Sequence, residues 1–464
     1  MTAEPVLISA EAAERRVVHL HVGAPKTGTT QLQDVLFRNR DHLREHGVLV
    51  PGRDRQSHFH AAIDLLDLSW GGLLEGARGS WDELVAEIHA WPGDVVVSNE
   101  NLSLADDAVV AHVRAALPDH ALRVVFSARD LVRQIPAAWQ EKVKHFYTGD
   151  YGTFVQHLRE DVDDEEARRF WQRQTWPDVL ERWSRQLGEA PTTLVTVPPS
   201  GQDPALLLSR FLEAFGLKQE WVPDRSARSN PGLGPVESAV LRAVQTELDA
   251  RDAKTAVRHT AVRGALLGRW WPSRPSTGRI ALPVEARDWA TGLGAEWVER
   301  VKATDVTVVG ELSDLVSPVS PVSPESPGSP ESPVAAGVDP DSVSPAEQLS
   351  LAVLTVADAL EEVTDLVGQR RILTDERDRL RVAAEQTRDE LDLTRTERDQ
   401  LQARVVELER THWQAAKEGM VAAARSGRPL GLAYAAYRRT RRVGHTSPFG
   451  QPGRLGPAGP SGEH

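Results

Sequence analysis

The chain has no cysteine, which excludes disulfides, thiolate zinc sites and a cysteine nucleophile. It has no uninterrupted apolar run of the length a bilayer span requires. The opening MTAEPVLISAEAAERR lacks the continuous apolar core of a secretion signal, so a cytoplasmic location is expected. Positive charge is in deficit: 54 Lys and Arg stand against 67 Asp and Glu, a net charge of −13 over 464 residues. That balance speaks against general nucleic-acid binding, although an acidic average leaves room for a local anion site.

The most informative stretch lies near the N-terminus. VVHLHVGAPKTGTTQLQ, residues 17–33, reads as a buried strand passing through a glycine-containing loop into a helix. Val17, Val18, Leu20 and Val22 supply the strand, and Gly23 and Gly28 free the backbone to turn. Thr29 and Thr30 open a helix carrying Leu32, Val35, Leu36 and Leu43. Backbone N–H groups and hydroxyls at such a helix start bind anions. Gly23 and Gly28 keep the Walker A spacing, but Thr29 stands where the lysine belongs, and the lysine has moved inside the loop to Lys26. The plain alternative is an ordinary strand-to-helix turn in which the threonines serve as N-caps.

Pro25-Lys26-Thr27-Gly28-Thr29-Thr30 closely resembles the 5′-phosphosulfate loop of sulfotransferases that use 3′-phosphoadenosine 5′-phosphosulfate (PAPS). The resemblance implies that Lys26, Thr27, Gly28, Thr29 and Thr30 bind the donor, with Lys26 at the oxygens where charge grows as the nucleotide leaves. It implies no metal requirement. In that family an arginine after a later strand and a serine eight residues beyond it hold the 3′-phosphate. Phe126-Ser127-Ala128-Arg129-Asp130 resembles this motif and Arg129 matches it. Position 137 departs, being Ala137, and Ser127 or Arg133 is the candidate replacement. A late basic loop of the family has a looser counterpart in residues 223–235, with Arg225, Arg228 and Asn230. The family places a histidine or glutamate near the acceptor hydroxyl. Glu100, in Ser98-Asn99-Glu100-Asn101, is its topological counterpart, with His58 and His60 in the polar stretch 53–60 as the alternative base. Glu100 read as a helix cap or salt-bridge partner is the bland alternative. Gln140, Lys142, Lys144 and His145 form either a face that steers anions or a solvated helix face.

Up to residue 315, short β-rich runs alternate with helical stretches. The expected class is α/β, a P-loop-containing parallel sheet flanked by helices, sulfotransferase-like over residues 17–315. Strands are expected at 47–50, 94–98, 123–127 and 192–197 and helices at 203–215 and 237–249, with a final segment at 279–316. Six Ser-Pro pairs between Ser317 and Pro333 mark residues 316–344 as a disordered spacer. In residues 345–413, Leu366, Leu373 and Leu380 keep a seven-residue step that Leu401 and Leu408 resume after Thr387 and Thr394. Ala384, Leu391 and Val405 fit the companion seam, whereas Arg377 and Arg398 do not. This predicts a short, imperfect coiled coil making a homodimer, against a single solvated helix. Residues 414–464 form a basic, largely disordered tail in which Arg425, Arg428, Arg438, Arg439, Arg441 and Arg442 gather near Tyr434 and Tyr437. Contact with an anionic membrane surface and a frayed cationic end are the two readings of that tail.

The function these residues point to is transfer of a sulfuryl group from PAPS to a hydroxyl or amine of a glycan, glycolipid or small metabolite. Two alternatives stand beside it. One is a P-loop kinase or nucleotide hydrolase with Glu100 on Mg²⁺; the other is a degenerate nucleotide-binding scaffold.

Overall fold

The computed structural model describes residues 16–426 apart from 70–71, 161, 188–190, 227–231, 255–256 and 318–336, together with residues 431, 434, 435 and 438. Six strands form one sheet: β1 (Val17–Gly23), β2 (Val48–Leu49), β3 (Asp94–Ser98), β4 (Ala121–Ala128), β5 (Thr192–Thr196) and β6 (Thr307–Val309). Their order is β2-β3-β1-β4-β5-β6 and every pairing is parallel. Strand β1 pairs His21 with Ser98 on one side and with Val125 on the other. Parallel strands need crossovers, and helices supply them on both faces.

Alternation along the strands sends side chains to two cores. Val18, Leu20 and Val22 of β1 join Val95, Val97, Val124 and Phe126 in the larger core. On the opposite face, Val96 and Val125 meet Leu32, Val35 and Leu36 of the Thr29–Arg38 helix and Phe211 and Phe215 of the Pro204–Ala214 helix region. His19 and His21 also point to that face, edge-on to Phe215 and Phe211 at 5.8 and 5.2 Å. The expected strands fall close to the observed ones, but β6 is three residues long and offers no alternation to read. Leu43 belongs to a separate helix, Arg40–Glu45, because the first helix stops at Arg38. A π-helical segment, Arg258–Trp270, was not foreseen.

Aspartates set five of the later helix starts. Asp106, Asp130, Asp150, Asp164 and Asp203 each accept a backbone N–H from the first turn, the usual N-cap contact.

The expected spacer and coiled coil begin differently in the structure. Val338 bridges Ile280, and Asp341 accepts from the Gly152 N–H at 2.8 Å and pairs with Arg242 at 2.5 Å. The following helix, Pro345–Arg425, buries Leu351, and its Thr355 and Asp358 accept from Trp271 and Arg274 at 3.0 and 2.7 Å. Residues 337–359 therefore pack as part of the compact unit, which ends at Ala359. Val343 and Leu351 join the larger core, and these polar contacts add to that anchoring. Leu360–His464 form a second unit, in which Leu366, Leu373, Leu380, Leu401 and Leu408 are exposed. Pro318 to Pro333, nearly the whole Ser-Pro run, and most of the basic tail lie outside the described residues. No helix among the described residues is long and apolar enough to cross a membrane.

Candidate active site

The sheet order changes direction at β1, since the chain leaves it for β2 and β3 on one side and β4 on the other. Ligands of open parallel sheets sit at the carboxyl ends of the strands beside such a switch point. Lys26 follows β1, Glu100 follows β3 and Arg129 follows β4, so all three candidates lie at the same end.

The loop after β1 is shaped by tight backbone. Lys26 has φ 70° and Gly28 φ 91°, both in the left-handed region where a Cβ is disfavoured. A Cβ on Gly28 would lie 2.6 Å from Leu207 Cδ2. No side chain caps the Thr29–Arg38 helix, so its first N–H groups remain directed out of the helix, where an anion is favoured. The two threonines divide: Thr29 is buried, whereas Thr30 lines the cleft. The N-capping alternative for these hydroxyls is thus not the one observed.

Thr27 and Ser127 turn away from the cleft. The Thr27 hydroxyl donates to the Ala24 carbonyl at 2.6 Å and sits 2.5 Å from Ser127 Oγ. Ser127 is fully buried, 2.9 Å from the Gly23 carbonyl and 3.2 Å from His21 Nε2, while His21 Nδ1 lies 2.8 Å from Ser98 Oγ. Burial lowers the His21 pKa to about 3, so the imidazole is neutral and one ring nitrogen accepts while the other donates. Thr27, Ser127, His21 and Ser98 thereby join the loop to β4, β1 and β3 through one buried hydrogen-bonded chain. Ser127 and the Thr27 hydroxyl support the loop from below; Ser127 does not stand in for a serine at position 137.

Arg133 is likewise committed. It pairs with Asp130, and its guanidinium donates to the carbonyls of Pro198 at 2.9 Å and Val197 at 3.4 Å, bracing the helix start against the exit of β5. Arg129 differs: its buried Nε has no hydrogen-bond partner among the described residues. Burial, and next the charge of Arg133, lower its pKa to about 10, so the guanidinium is held as a cation in a place that disfavours one. An arriving anion would relieve this. Arg129 does not line the main cleft, and Arg228 lies outside the described residues.

The cleft has a volume of about 830 Å³ and is lined by Lys26, Thr30, Gln33, Glu100 and Glu141, among others. Lys26 Nζ lies 3.0 Å from Glu141 Oε2, and His145 Nε2 3.2 Å from Glu141 Oε1. Burial pushes the Glu141 carboxyl upward, but the His145 hydrogen bond and the Lys26 and Lys144 charges outweigh it and hold the group well below the usual carboxylate range. Across the cleft, Gln33 Nε2 donates to Glu100 Oε2 at 3.0 Å and to the Ser98 carbonyl at 3.2 Å, which fixes the direction of the carboxylate. Glu141 and Gln33 were missed as site residues; their positions on helix faces, three or more turns from the motif or just inside the helix, carried no local signal.

The alternative bases sit elsewhere. Asp54 caps the Arg55–Leu65 helix with Ser57 in a reciprocal box, so the polar stretch is helical and Phe59 lines the cleft while His58 and His60 do not. His58 is buried and its Nδ1 accepts the Ser98 N–H at 3.2 Å. Burial lowers its pKa to about 4. It is a structural link between this helix and β3.

No family model matches the chain and no curated protein matches it. Two solved structures overlap with it loosely. One is a sulfotransferase from Alicyclobacillus acidocaldarius, 16% identical, covering 53% of this chain and 94% of that one with a TM-score of 0.33. The other is a sulfotransferase domain from the curacin biosynthetic pathway, 9% identical, covering 46% and 78% with a TM-score of 0.25. Superpositions this loose leave the function to be argued from the chain's own residues.

Proposed function

We propose that residues 17–315, together with the segment that packs on them, transfer a sulfuryl group from PAPS to a hydroxyl or amine. The observation that carries this reading is the placement of Lys26: it projects from within an uncapped phosphate loop into the same cleft as Glu100, while Thr29 occupies the Walker lysine position. The N–H groups of Gly28, Thr29 and Thr30 and the Thr30 hydroxyl hold the 5′-phosphate, and Arg129 receives the 3′-phosphate. The acceptor oxygen forms a bond to sulfur as the bond from sulfur to the 5′-phosphate oxygen breaks. The electron pair leaves on that phosphate, where Lys26 stabilises it, and Glu100 takes the acceptor proton. Lys26 exchanges Glu141 for the donor oxygens on binding. The second unit, with its exposed heptad leucines, brings two copies of the chain together.

Calorimetry of the full chain with PAPS, adenosine 3′,5′-bisphosphate, adenosine 5′-phosphate and ATP, each with and without Mg²⁺, tests the reading. Expected is metal-independent binding that favours PAPS and the bisphosphate. Tighter, Mg²⁺-dependent ATP binding would replace it with a phosphoryl-transfer enzyme, and equal affinity for the two adenosine phosphates would remove Arg129 from the 3′-phosphate.

A further inference from the structure

We propose that Gln134 is a positioning residue for the phosphate loop: by holding the Pro25 carbonyl it fixes the Pro25–Lys26 peptide, and with it the course by which Lys26 reaches the 5′-phosphate. This rests on the reading of that loop as the donor site given above. Gln134 lies near the start of the Leu131–Lys144 helix and is 1% exposed. Its Nε2 donates to the Pro25 carbonyl at 2.7 Å and to Gln174 Oε1 at 2.9 Å. Both N–H bonds of the amide are thereby used, and turning the amide over would set its oxygen against two acceptors, so its orientation is fixed. The cost shows at the other end of the group, where Oε1 is buried with no hydrogen-bond partner among the described residues. A side chain kept for packing alone needs no amide, since an apolar one of similar length leaves no unmatched carbonyl.

Peptide geometry sets what this bond controls. The Pro25–Lys26 peptide is trans, and a trans peptide points its C=O and N–H in opposite directions. An anchored Pro25 carbonyl therefore also sets the direction of the Lys26 N–H, which has no backbone acceptor among the described residues. Lys26 has φ 70°, a conformation that costs energy outside glycine and persists only where the surroundings impose it. Beneath the loop, Thr27 is tied to Ser127. From the side, Glu141 holds the Lys26 ammonium and Gln134 holds the carbonyl that precedes Lys26. Gln134 and Glu141 are seven residues apart on one helix, close to two full turns, so a single helix face meets both the backbone and the side chain of the loop. The two contacts differ in fate. A donor phosphate takes Lys26 from Glu141, whereas the Pro25 carbonyl has no attraction for an anion and keeps its bond to Gln134. The backbone thus stays fixed while the side chain is released, the condition for a preorganised anion site.

Two measurements on the full chain carrying Gln134→Met test this. The first needs no nucleotide: the rate at which acetic anhydride modifies Lys26, read by mass spectrometry against the other lysines. Loss of the Gln134 hold should move the ammonium off Glu141 and raise that rate by up to about fivefold, the value of a partly exposed ion pair, with Glu141→Gln marking the ceiling and the other lysines unchanged. The second is calorimetry with adenosine 3′,5′-bisphosphate and adenosine 3′-phosphate, which differ only in the 5′-phosphate. The bisphosphate should bind about tenfold more weakly, the factor one charge-assisted hydrogen bond supplies, and adenosine 3′-phosphate as before. Gln134→Asn keeps an amide but withdraws it by one methylene; it should behave in the same way and serves where the methionine chain fails to fold. An unchanged Lys26 rate in a folded variant, a rise shared by all the lysines, or equal weakening of both nucleotides would each overturn the proposal. Should the unaltered chain bind neither nucleotide, the donor reading fails instead, and the acetylation rate still decides whether Gln134 holds the loop.

Discussion

Lys26 and Glu141 form an ion pair across the mouth of the cleft, 3.0 Å from Nζ to Oε2, so the lysine proposed to meet the donor is held by a carboxylate on the Leu131–Lys144 helix. The pair is partly exposed, with 24% and 37% of the two side chains accessible, and is correspondingly weak. Replacing Glu141 by Gln is expected to tighten binding of adenosine 3′,5′-bisphosphate by up to about fivefold, because the donor no longer competes with a resident anion. Lys26→Ala is expected to slow release of the bisphosphate from PAPS by about 10²-fold, since an oriented cation at a developing anion is commonly worth about 3 kcal/mol. Weaker nucleotide binding in Glu141→Gln would mean that the glutamate holds Lys26 in its working position.

Glu100 and His58 separate in the same way. Glu100→Gln keeps the hydrogen bond to Gln33 in altered form and removes the proton acceptor, so PAPS turnover should fall by about 10²-fold with nucleotide affinity unchanged. His58→Ala leaves the Ser98 N–H without its acceptor and should act on stability, by about 1–3 kcal/mol, read as a lower melting temperature. Should His58→Ala abolish turnover in a chain that melts normally while Glu100→Gln stays active, the base is His58.

Much of the framework was legible because buried parallel strands read as apolar runs: Asp94–Ser98 and the strand entering the Lys26 loop carry it in a few adjacent residues. Lys26, Glu100 and Arg129 were reachable because they follow such runs directly. The rest depends on packing over long sequence separation. Glu141 finds Lys26 across 115 residues, and nothing in Gln140 to His145 says which helix face meets the loop. His58 and His60 looked available because their stretch is polar; the Asp54 and Ser57 pair was the overlooked sign of a helix, which buries one of them. The return of residues 337–359 to the compact unit rests on two buried apolar residues, Val343 and Leu351, and on polar contacts such as Asp341 with Arg242, too few to leave a periodic trace.

Acid should destabilise the fold above the range in which most carboxylates titrate. Burial is the first cause in lowering His19 to about 4, His21 to about 3 and His58 to about 4 from 6.5. The unfolded chain takes up these protons as pH falls below about 6.5, while the folded chain does not. Their contribution is therefore fully present above about pH 6.5 and is lost as pH falls toward 4 and then 3. Each histidine adds at most about 1.4 kcal/mol per pH unit within that window. Urea midpoints should decline between about pH 6.5 and pH 5; a flat profile there would contradict the neutral, buried assignment.

Ser127→Ala tests the support beneath the loop. The substitution removes contacts to Thr27, His21 and the Gly23 carbonyl in a fully buried place, so about 1–3 kcal/mol of stability should be lost. Nucleotide affinity should weaken as well, although Ser127 does not face the cleft, because Thr27 loses the partner that holds the loop in its strained course. Ser127→Thr keeps the hydroxyl and should restore part of the affinity. If Ser127→Ala lowers stability with affinity unchanged, the loop holds its shape without the buried chain.

Association is expected to reside in the second unit. The compact unit continues through Ala359, so a chain ended there retains the contacts of Asp341, Thr355 and Asp358 that a cut at Val316 would remove. That shortened chain should bind adenosine 3′,5′-bisphosphate as the full chain does, since its loop, Glu100 and Arg129 are untouched. It should sediment as a monomer at micromolar concentration while the full chain sediments as a dimer, because the exposed seam of Leu366, Leu373 and Leu380 is absent. Replacing those three leucines by Glu in the full chain should have the same effect without shortening it, by placing charge on the seam. A dimer that persists in both altered chains would place the interface on the compact unit, and the heptad stretch would then be a single solvated helix.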